Sequence, residues 1–326
     1  MCAGSNNDVA RTGIGRLFTA ADRPHVACTL GATSPDSVVE ELPRAINDAS
    51  EWGFQKVLFE ADTKRGSALC DEVASHLNSS VKSIWLVQMD VTSLSDVSWK
   101  GSGVRHVVLY DPAVCADTFL EYLRFCADRG MRRSKVLPAV RIGRRHLQYL
   151  SGMLETAQEE GFSTVLLWPR FGIEQWASQE EDKLSVESFE QLHSIAAPFG
   201  QSDKPLRVYV RPGILPTALL LDHPCNGYAC CGEHCHGGRS GFPRRLVIDA
   251  EGKIWPETRH LTDEYSVGRI QNGGFGGLFH NWADVCRPFH KLCVRSYEEF
   301  VMHNPYFYTP LHELWAHMAR ISGGGQ

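Results

Sequence analysis

The chain has 326 residues, of which 43% are hydrophobic and 22% are charged, and its formal net charge is -5 at pH 7. This length and composition allow one large core, or one core with a smaller appendage. Such a charge balance lacks the basic surface that nucleic acid requires, and no run of about 18 uncharged apolar residues could cross a membrane, so neither partner is expected. The first twenty residues contain no apolar segment of signal-peptide length, which predicts a cytoplasmic protein.

Short apolar runs rich in β-branched residues alternate with segments of helical periodicity between residues 24 and 213. The predicted strands are 25–30, 56–61, 83–90, 104–111, 136–142, 164–168 and 206–210. The clearest predicted helices are 35–52, 114–129, 145–160 and 186–197. This alternation is typical of a parallel sheet and predicts an α/β fold, a partial (β/α) barrel. An open, doubly wound sheet is the alternative.

Polar side chains stand at the ends of several predicted strands, where a parallel barrel keeps its binding sites. The candidate substrate-binding residues are Glu60, Asp62, Asp90, Asp111, Arg141, Arg170 and Arg211. The carboxylates could bind amines, and the arginines could hold carboxylates in bidentate fashion. For each position, a helix cap or a loop ion pair is the alternative role.

The alternation stops after residue 213, where the chain becomes rich in turns, cysteines and histidines. We predict an N-terminal extension over residues 1–23, the partial barrel over 24–213, and a small cysteine-rich domain over 214–326. Within that last region, residues 246–256 predict a hairpin whose turn contains Gly252. Residues 296–300 and 310–321 predict two helices.

Six of the eleven cysteines lie in the C-terminal region. These candidate metal ligands are Cys225, Cys230, Cys231, Cys235, Cys286 and Cys293. Thiolates concentrated in this way are typical ligands of an iron–sulfur cluster or a zinc ion, and a reducing cytoplasm favours metal over disulfides. A disulfide-containing loop and free thiols are the alternatives, because adjacent cysteines do not easily bind one ion. Cysteines elsewhere, including Cys28, are predicted to be small buried apolar residues.

The order of these features resembles the radical S-adenosylmethionine enzymes that have a C-terminal SPASM or twitch domain. The resemblance rests on Cys235, the segment 248–252, Trp255 with Pro256, and the segment 265–270, and it spans roughly residues 24–300. It implies one auxiliary iron–sulfur cluster in the C-terminal region. We expect its ligands to be Cys235 and Cys293 with two of Cys225, Cys230, Cys231 and Cys286. A zinc ion held by cysteines and histidines is the alternative.

The sequence departs from this family at the catalytic cluster. The family holds that cluster on a C-x3-C-x2-C loop after the first strand, whereas this chain offers Cys28 alone and contains that motif nowhere. The family's Gly-Gly-Glu-Pro after the second strand is replaced by Phe-Glu-Ala-Asp at residues 59–62, and Glu257 stands where the hairpin motif has its next cysteine. Binding and cleavage of S-adenosylmethionine are therefore not expected.

The resemblance and the departures together predict a catalytically degenerate radical-enzyme scaffold. It would act as the partner of an active radical S-adenosylmethionine protein, or as the subunit that binds the peptide, in peptide or natural-product maturation. The alternative is a non-radical metalloenzyme that uses the carboxylates at the barrel mouth, with His106 or His146 as acid or base. A metal-free binding module is a third interpretation, and whether the chain is itself an enzyme stays open.

Overall fold

The computed structural model describes residues 14–16, 25–61, 63–91, 104–113, 115, 117–129, 136–169, 184–201, 206–210, 214–222, 243, 245–270, 278–305 and 308–323. The strands in these ranges are β1 (Ile14–Arg16), β2 (His25–Leu30), β3 (Lys56–Ala61), β4 (Ser83–Val91), β5 (Val104–Tyr110), β6 (Val136–Ile142), β7 (Thr164–Pro169), β8 (Arg207–Val210), β9 (Ile214–Pro216), β10 (Arg245–Ile248), β11 (Lys253–Pro256), β12 (Gly268–Arg269) and β13 (Tyr308–Pro310). The α-helices are α1 (Asp36–Glu51), α2 (Lys64–Ser75), α3 (Phe119–Arg129), α4 (Leu147–Glu159), α5 (Val186–Ala196), α6 (Thr217–Asp222), α7 (Leu278–Ser296) and α8 (Leu311–Gly323). Among these helices, none combines the length and the apolar character needed to cross a bilayer.

The main sheet of the described residues has the order β1-β8-β7-β6-β5-β4-β3-β2-β10-β11-β12. All strands from β1 to β10 in that order are parallel to their neighbours, and β11 and β12 continue the sheet in antiparallel fashion. Because β2 to β8 follow one another in chain order, right-handed crossovers place their helices on one face of the sheet. The strand order does not reverse as it does in a doubly wound sheet. The α/β fold with a parallel, barrel-like sheet is therefore confirmed.

The faces of the sheet can be assigned from strand register. Val108 and Val140 pack in a cluster with Tyr122 of α3 and Leu150 of α4, so their side of the sheet faces the helices. The buried Tyr122 hydroxyl donates to the carbonyl of Val108 at 2.7 Å and accepts from the amide of Ala139 at 2.7 Å, which fixes α3 against β5 and β6. Alternate residues face the opposite, inner side.

The predicted strands match the observed ones within one or two residues, and β2, β3 and β6 have the predicted bounds. Helix α3 begins at Phe119 rather than at the predicted residue 114. The reason is a capping box, in which the Thr118 amide donates to the Glu121 carboxylate at 2.8 Å and the Glu121 amide donates to the Thr118 hydroxyl at 3.2 Å. These reciprocal bonds satisfy two backbone amides that have no carbonyl partner at the start of the helix.

Helix α7 is missing from the sequence-based prediction, although it is the longest helix described. Its buried residues Trp282, Val285, Phe289 and Leu292 recur at three- and four-residue spacing, which is the signal of a helix packed on a core. Pro288 lies inside it and interrupts the pattern of helix-forming residues. The predicted helix at 296–300 is instead the end of α7, where the chain continues as the π-helical turn Tyr297–Val301.

The predicted hairpin at 246–256 is confirmed as β10 and β11, and it joins the main sheet. Ile248 of β10 is the register partner of Ile254 in β11 and of Cys28 in β2. One buried apolar cluster includes Val26 of β2, Val247 of β10 and Met318 of α8. The hairpin therefore shares its core with the strands of the predicted barrel, and the division into domains at residue 213 stays a prediction.

Candidate functional site at the carboxyl end of the sheet

Several polar side chains lie on the inner face of the sheet. Most are near the carboxyl ends of their strands, whereas Arg245 begins β10 beside His25, at the amino end of β2, and its side chain reaches Glu60. We call this group the mouth, and its described members are Thr29, Glu60, Asp111, Arg141, Arg245 and Arg259. Thr29 and Glu60 are register partners in β2 and β3, so their side chains point to the same side. That side is the inner one, because the alternate residues Leu30 and Ala61 align through the register with Val108 on the helix-facing side.

Glu60 is held by Arg245, the first residue of β10. The Nη2 atom of Arg245 donates to Oε1 of Glu60 at 3.2 Å, and the two side chains are only 10% and 16% exposed. Low exposure weakens solvent screening, so this ion pair is stronger than one on the surface. It joins the C-terminal hairpin to β3 across the inner face.

Glu257 forms hydrogen bonds with the backbone of Arg245. Its Oε1 accepts from the Arg245 amide at 3.0 Å, and its own amide donates to the Arg245 carbonyl at 2.8 Å. The second carboxylate oxygen lies 3.9 Å from Nε2 of His312 in α8. Glu257 is buried and has a φ of 61°, a backbone conformation that few residues other than glycine adopt. Glu257, which stands where the sequence resemblance would place a cysteine, is therefore engaged by the protein itself.

Arg259 approaches the mouth from the segment after β11. Its Nη1 donates to the Thr29 hydroxyl at 3.1 Å, although the two residues are separated by 230 positions in the chain. Thr29 is 8% exposed, whereas Arg259 is on the surface. A second guanidinium thus comes to the strand next to the one that carries Glu60.

Asp111 and Arg141 form a second ion pair in the mouth, in which Nη1 of Arg141 donates to Oδ2 of Asp111 at 3.4 Å. Asp111 is 1% exposed, and its Oδ1 also accepts from the amide of Ala113 at 3.0 Å. Burial raises the pKa of the neighbouring Tyr110 to about 12, so its hydroxyl stays protonated and donates to the carbonyl of Asp117 at 3.1 Å. This part of the mouth therefore presents a carboxylate that is already paired with a guanidinium.

The remaining substrate-binding residues predicted from the sequence cannot be placed in the mouth. Asp62, Arg170 and Arg211 lie outside the described residues. Asp90 lies in β4, but its side chain is outside the described part of the chain. For these residues the predicted role stays a prediction.

Cys28 lies within β2 rather than in the loop that follows it. Through the register it aligns with Phe59, Leu86, His106 and Val136, and Val136 belongs to the cluster that packs on the helices. The thiol is 1% exposed, and burial raises its pKa well above the ordinary value, with the nearby Glu60 charge adding to the effect. Cys28 is a protonated core residue on the face away from the mouth.

The loop after β2 is closed on itself. The Gly31 amide donates to the Ser34 hydroxyl at 3.0 Å, and the Ser34 amide donates to the Gly31 carbonyl at 3.2 Å. Counted from Cys28, the two further positions that a C-x3-C-x2-C motif requires are Ala32 and Pro35. With one protonated thiol pointing away from the mouth, the residues present do not fit a cluster held by three thiolates at this loop.

Of the six predicted metal ligands, Cys225, Cys230, Cys231 and Cys235 lie outside the described residues. Cys286 and Cys293 are both on α7, where seven residues correspond to a rise of about 10 Å. Cys293 is fully buried in the apolar cluster, and Cys286 is partly exposed. Within the described ranges, no group of three or more cysteine, histidine or acidic side chains is arranged to hold a metal ion. The predicted ligand set stays a prediction.

The two histidines considered as acid or base lie in different places. His106 is buried near the start of β5 in the helix-facing register row, far from the carboxyl ends of the strands. His146 is buried in the turn after β6, and its Nδ1 accepts from the Gly143 amide at 3.0 Å. That bond assigns the proton of a neutral imidazole to Nε2. Of these two histidines, His146 alone lies at the end of the sheet that carries the mouth.

Arg245, Arg259 and Glu257 are site residues that the sequence reasoning missed. Arg245 opens a strand that the sequence does predict, but its partner Glu60 is 185 positions away in the chain. No local spacing reports such a pairing, although a charged residue at the start of an otherwise apolar strand is a weak signal of a buried partner.

The chain shares its α/β fold with solved structures that hold AdoMet, at low sequence identity. The structure of anSMEcpe with bound AdoMet and Kp18Cys peptide has a TM-score of 0.53 and 13% identity, with 83% of this chain and 84% of that chain covered. The complex of anSMEcpe with AdoMet and Cp18Cys peptide has a TM-score of 0.53 and 10% identity, with 92% and 96% covered. Streptococcus suis SuiB is less similar, with a TM-score of 0.48, 10% identity, and 76% and 62% covered. No protein-family model and no curated protein matches the sequence.

Proposed function

We propose that this chain is a catalytically degenerate relative of the peptide-modifying radical enzymes, which binds a peptide or partners an active radical S-adenosylmethionine protein. The observation that carries the proposal is the position of Cys28. It is buried in a strand, on the face away from the mouth, and its loop has no second or third thiol. The fold is retained while the ligands of a catalytic cluster are missing.

Peptide is the proposed ligand class because of the fold and the mouth together. The neighbour anSMEcpe is described with a bound peptide as well as AdoMet. In this chain the described members of the mouth are largely arginines and carboxylates, which suits a polar ligand. The carboxylate of Glu60, at the end of β3, is already paired with Arg245.

We further propose one metal site in the C-terminal region, an iron–sulfur cluster with zinc as the alternative. The ligands would be Cys235 and Cys293 with two of Cys225, Cys230, Cys231 and Cys286. The separation of seven residues on α7, a rise of about 10 Å between the two backbone positions, favours sets that use only one of Cys286 and Cys293. Its role would be structural or in electron relay.

The test is an anaerobic preparation in which iron, sulfide and zinc are counted per chain, followed by incubation with S-adenosylmethionine and a strong reductant. We expect metal in the C-terminal region and no 5′-deoxyadenosine. Formation of 5′-deoxyadenosine in proportion to the chain would overturn the proposal.

A matched variant separates the proposed metal site from a metal in the barrel. Replacing Cys225, Cys230, Cys231 and Cys235 by serine removes four candidate ligands and leaves every described residue of the mouth unchanged in sequence. We expect this variant to lose its metal. Metal that stays bound would favour a non-radical metalloenzyme that uses the carboxylates of the barrel.

A further inference from the structure

The mouth contains two guanidinium groups that converge on neighbouring strands. Arg245 donates to Glu60 at 3.2 Å and Arg259 donates to Thr29 at 3.1 Å. Thr29 and Glu60 are register partners, and adjacent strands lie about 4.8 Å apart. Two positive charges are thus held close together beside one carboxylate.

One of the two guanidinium groups at this corner has no carboxylate partner among the described residues. Arg245 and Glu60 neutralise one another, and within the described residues Arg259 makes a hydrogen bond to a neutral hydroxyl and no ion pair. Glu257 contacts both ends of Arg245, because its carboxylate accepts from the Arg245 amide at 3.0 Å and its carbonyl accepts from Nη1 of Arg245 at 3.5 Å. With Glu257 counted, Arg245, Arg259, Glu60 and Glu257 sum to zero, so it is the guanidinium of Arg259, and not a net charge, that is available to an anion. Asp62, also nearby in the chain, lies outside the described residues.

A second observation points to a ligand at the same corner. Arg245 is 8% exposed, and in the described part of the chain its Nε is buried without a hydrogen-bond partner. A buried donor without an acceptor is unfavourable, and a bound acceptor removes that cost. Arginine presents its donors as a planar fork that matches the two oxygens of a carboxylate.

We propose that Arg245 and Arg259 form a carboxylate-binding site in the mouth, which selects peptides that present a carboxylate from an acidic side chain or from a free C-terminus. This inference rests on the proposed function, because it specifies the substrate class of the same mouth. The carboxylate accepts from the exposed fork of Arg259 and from Nε of Arg245, the buried donor that has no acceptor among the described residues. Glu60 and Thr29 hold the two guanidinium groups in place.

The experiment uses three small probes with the full chain and follows binding by ligand-observed NMR. N-acetylglutamate α-amide has only a side-chain carboxylate, N-acetylglutamine has only the terminal carboxylate, and N-acetylglutamine α-amide has none. We expect at least one carboxylate probe to bind about tenfold more tightly than the neutral probe. Whichever carboxylate probe binds identifies the source of the group. Equal binding of all three, or binding of none, overturns the inference.

The variant Arg259→Gln tests the residue itself, since its exposed position should leave the fold intact. We expect it to weaken the carboxylate probe about tenfold and to leave the neutral probe unchanged. Arg269→Gln is the matched control, because Arg269 of β12 is an exposed arginine whose side chain pairs with Glu251. If Arg269→Gln weakens binding as much as Arg259→Gln, the effect is one of net charge and the site is refuted.

These assays require no iron, no S-adenosylmethionine and no partner protein. Failure of the probes to bind therefore removes the carboxylate site and leaves the degenerate-scaffold proposal standing. Conversely, formation of 5′-deoxyadenosine removes the proposed function without changing the result for the probes. The two proposals can thus fail separately.

Discussion

Arg245 and Glu60 are ion-paired at 3.2 Å although 185 positions separate them in the chain. The contact ties the first residue of the hairpin strand β10 to β3 of the main sheet. It also joins a longer series of contacts, because Glu257 binds the Arg245 amide and lies beside His312 of the last helix. The end of the chain is thereby connected to the inner face of the barrel-like sheet by polar groups.

The first prediction concerns the stability of this pair. Glu60→Gln leaves the Arg245 guanidinium buried without its counter-charge, and we expect the free energy of unfolding to fall by about 3 kcal/mol. Replacing both residues, as Glu60→Leu with Arg245→Met, should recover part of that loss because no buried charge remains. Urea unfolding of the three proteins measures both effects.

A surface pair provides the control for that measurement. Glu251 pairs with Arg269 at 3.6 Å, and the side chains are 74% and 49% exposed. Glu251→Gln should change the free energy of unfolding by less than about 1 kcal/mol. A loss at Glu60 no larger than the loss at Glu251 would contradict the importance of the buried pair.

The local structure of the sheet could be predicted from the sequence, whereas the pairings that form the mouth could not. Strand β3 has its predicted bounds because Val57, Leu58 and Phe59 form a short apolar run, and that pattern is local. The start of α3 also has a local signal, since Thr118 and Glu121 have capping-box spacing. Arg245 reaches Glu60 only because β10 pairs with β2, and no local pattern records which strand a hairpin joins.

The second prediction concerns Cys28. Its burial and raised pKa keep the thiol protonated, so it should not react with iodoacetamide in the folded protein and should react after unfolding in urea. Cys28→Ala should leave the iron content per chain unchanged and reduce the free energy of unfolding by about 1 kcal/mol, as expected for a small buried side chain. Loss of iron in this variant would show that Cys28 is a ligand.

The third prediction concerns the pH dependence of stability. Burial lowers the pKa of His25 well below 6.5, and the charges of Arg245 and Lys56 lower it further. The folded protein therefore holds His25 neutral while the unfolded chain takes up a proton below pH 6.5. The stabilisation from the neutral imidazole is present above that pH and is lost as the pH falls.

The magnitude of this effect is at most about 1.4 kcal/mol per pH unit for one group. His25→Gln should reduce the slope of the free energy of unfolding against pH, measured between pH 6.5 and pH 5, by up to this amount relative to the wild type. Urea unfolding at several pH values measures the two slopes, with pH 8 as the reference at which His25 contributes no slope. Parallel curves for the two proteins would refute the assignment to His25.

The fourth prediction tests the turn of the hairpin that carries Arg245. Gly252 has a φ of 76°, and a Cβ there would lie 2.9 Å from Cγ1 of Ile270 and 3.0 Å from Cγ2 of Val38. Gly252→Ala should therefore reduce the free energy of unfolding by about 1–3 kcal/mol, through left-handed strain and the crowding of both side chains. Gly152→Ala is the matched control, because Gly152 lies in α4 with nothing within 4 Å of its added Cβ, and it should stabilise the protein by about 0.5–1 kcal/mol. If the hairpin turn requires glycine, thermal unfolding should show a lower midpoint temperature for Gly252→Ala and a higher one for Gly152→Ala. Equal shifts of the two midpoints would mean that the turn tolerates a side chain and relaxes around it.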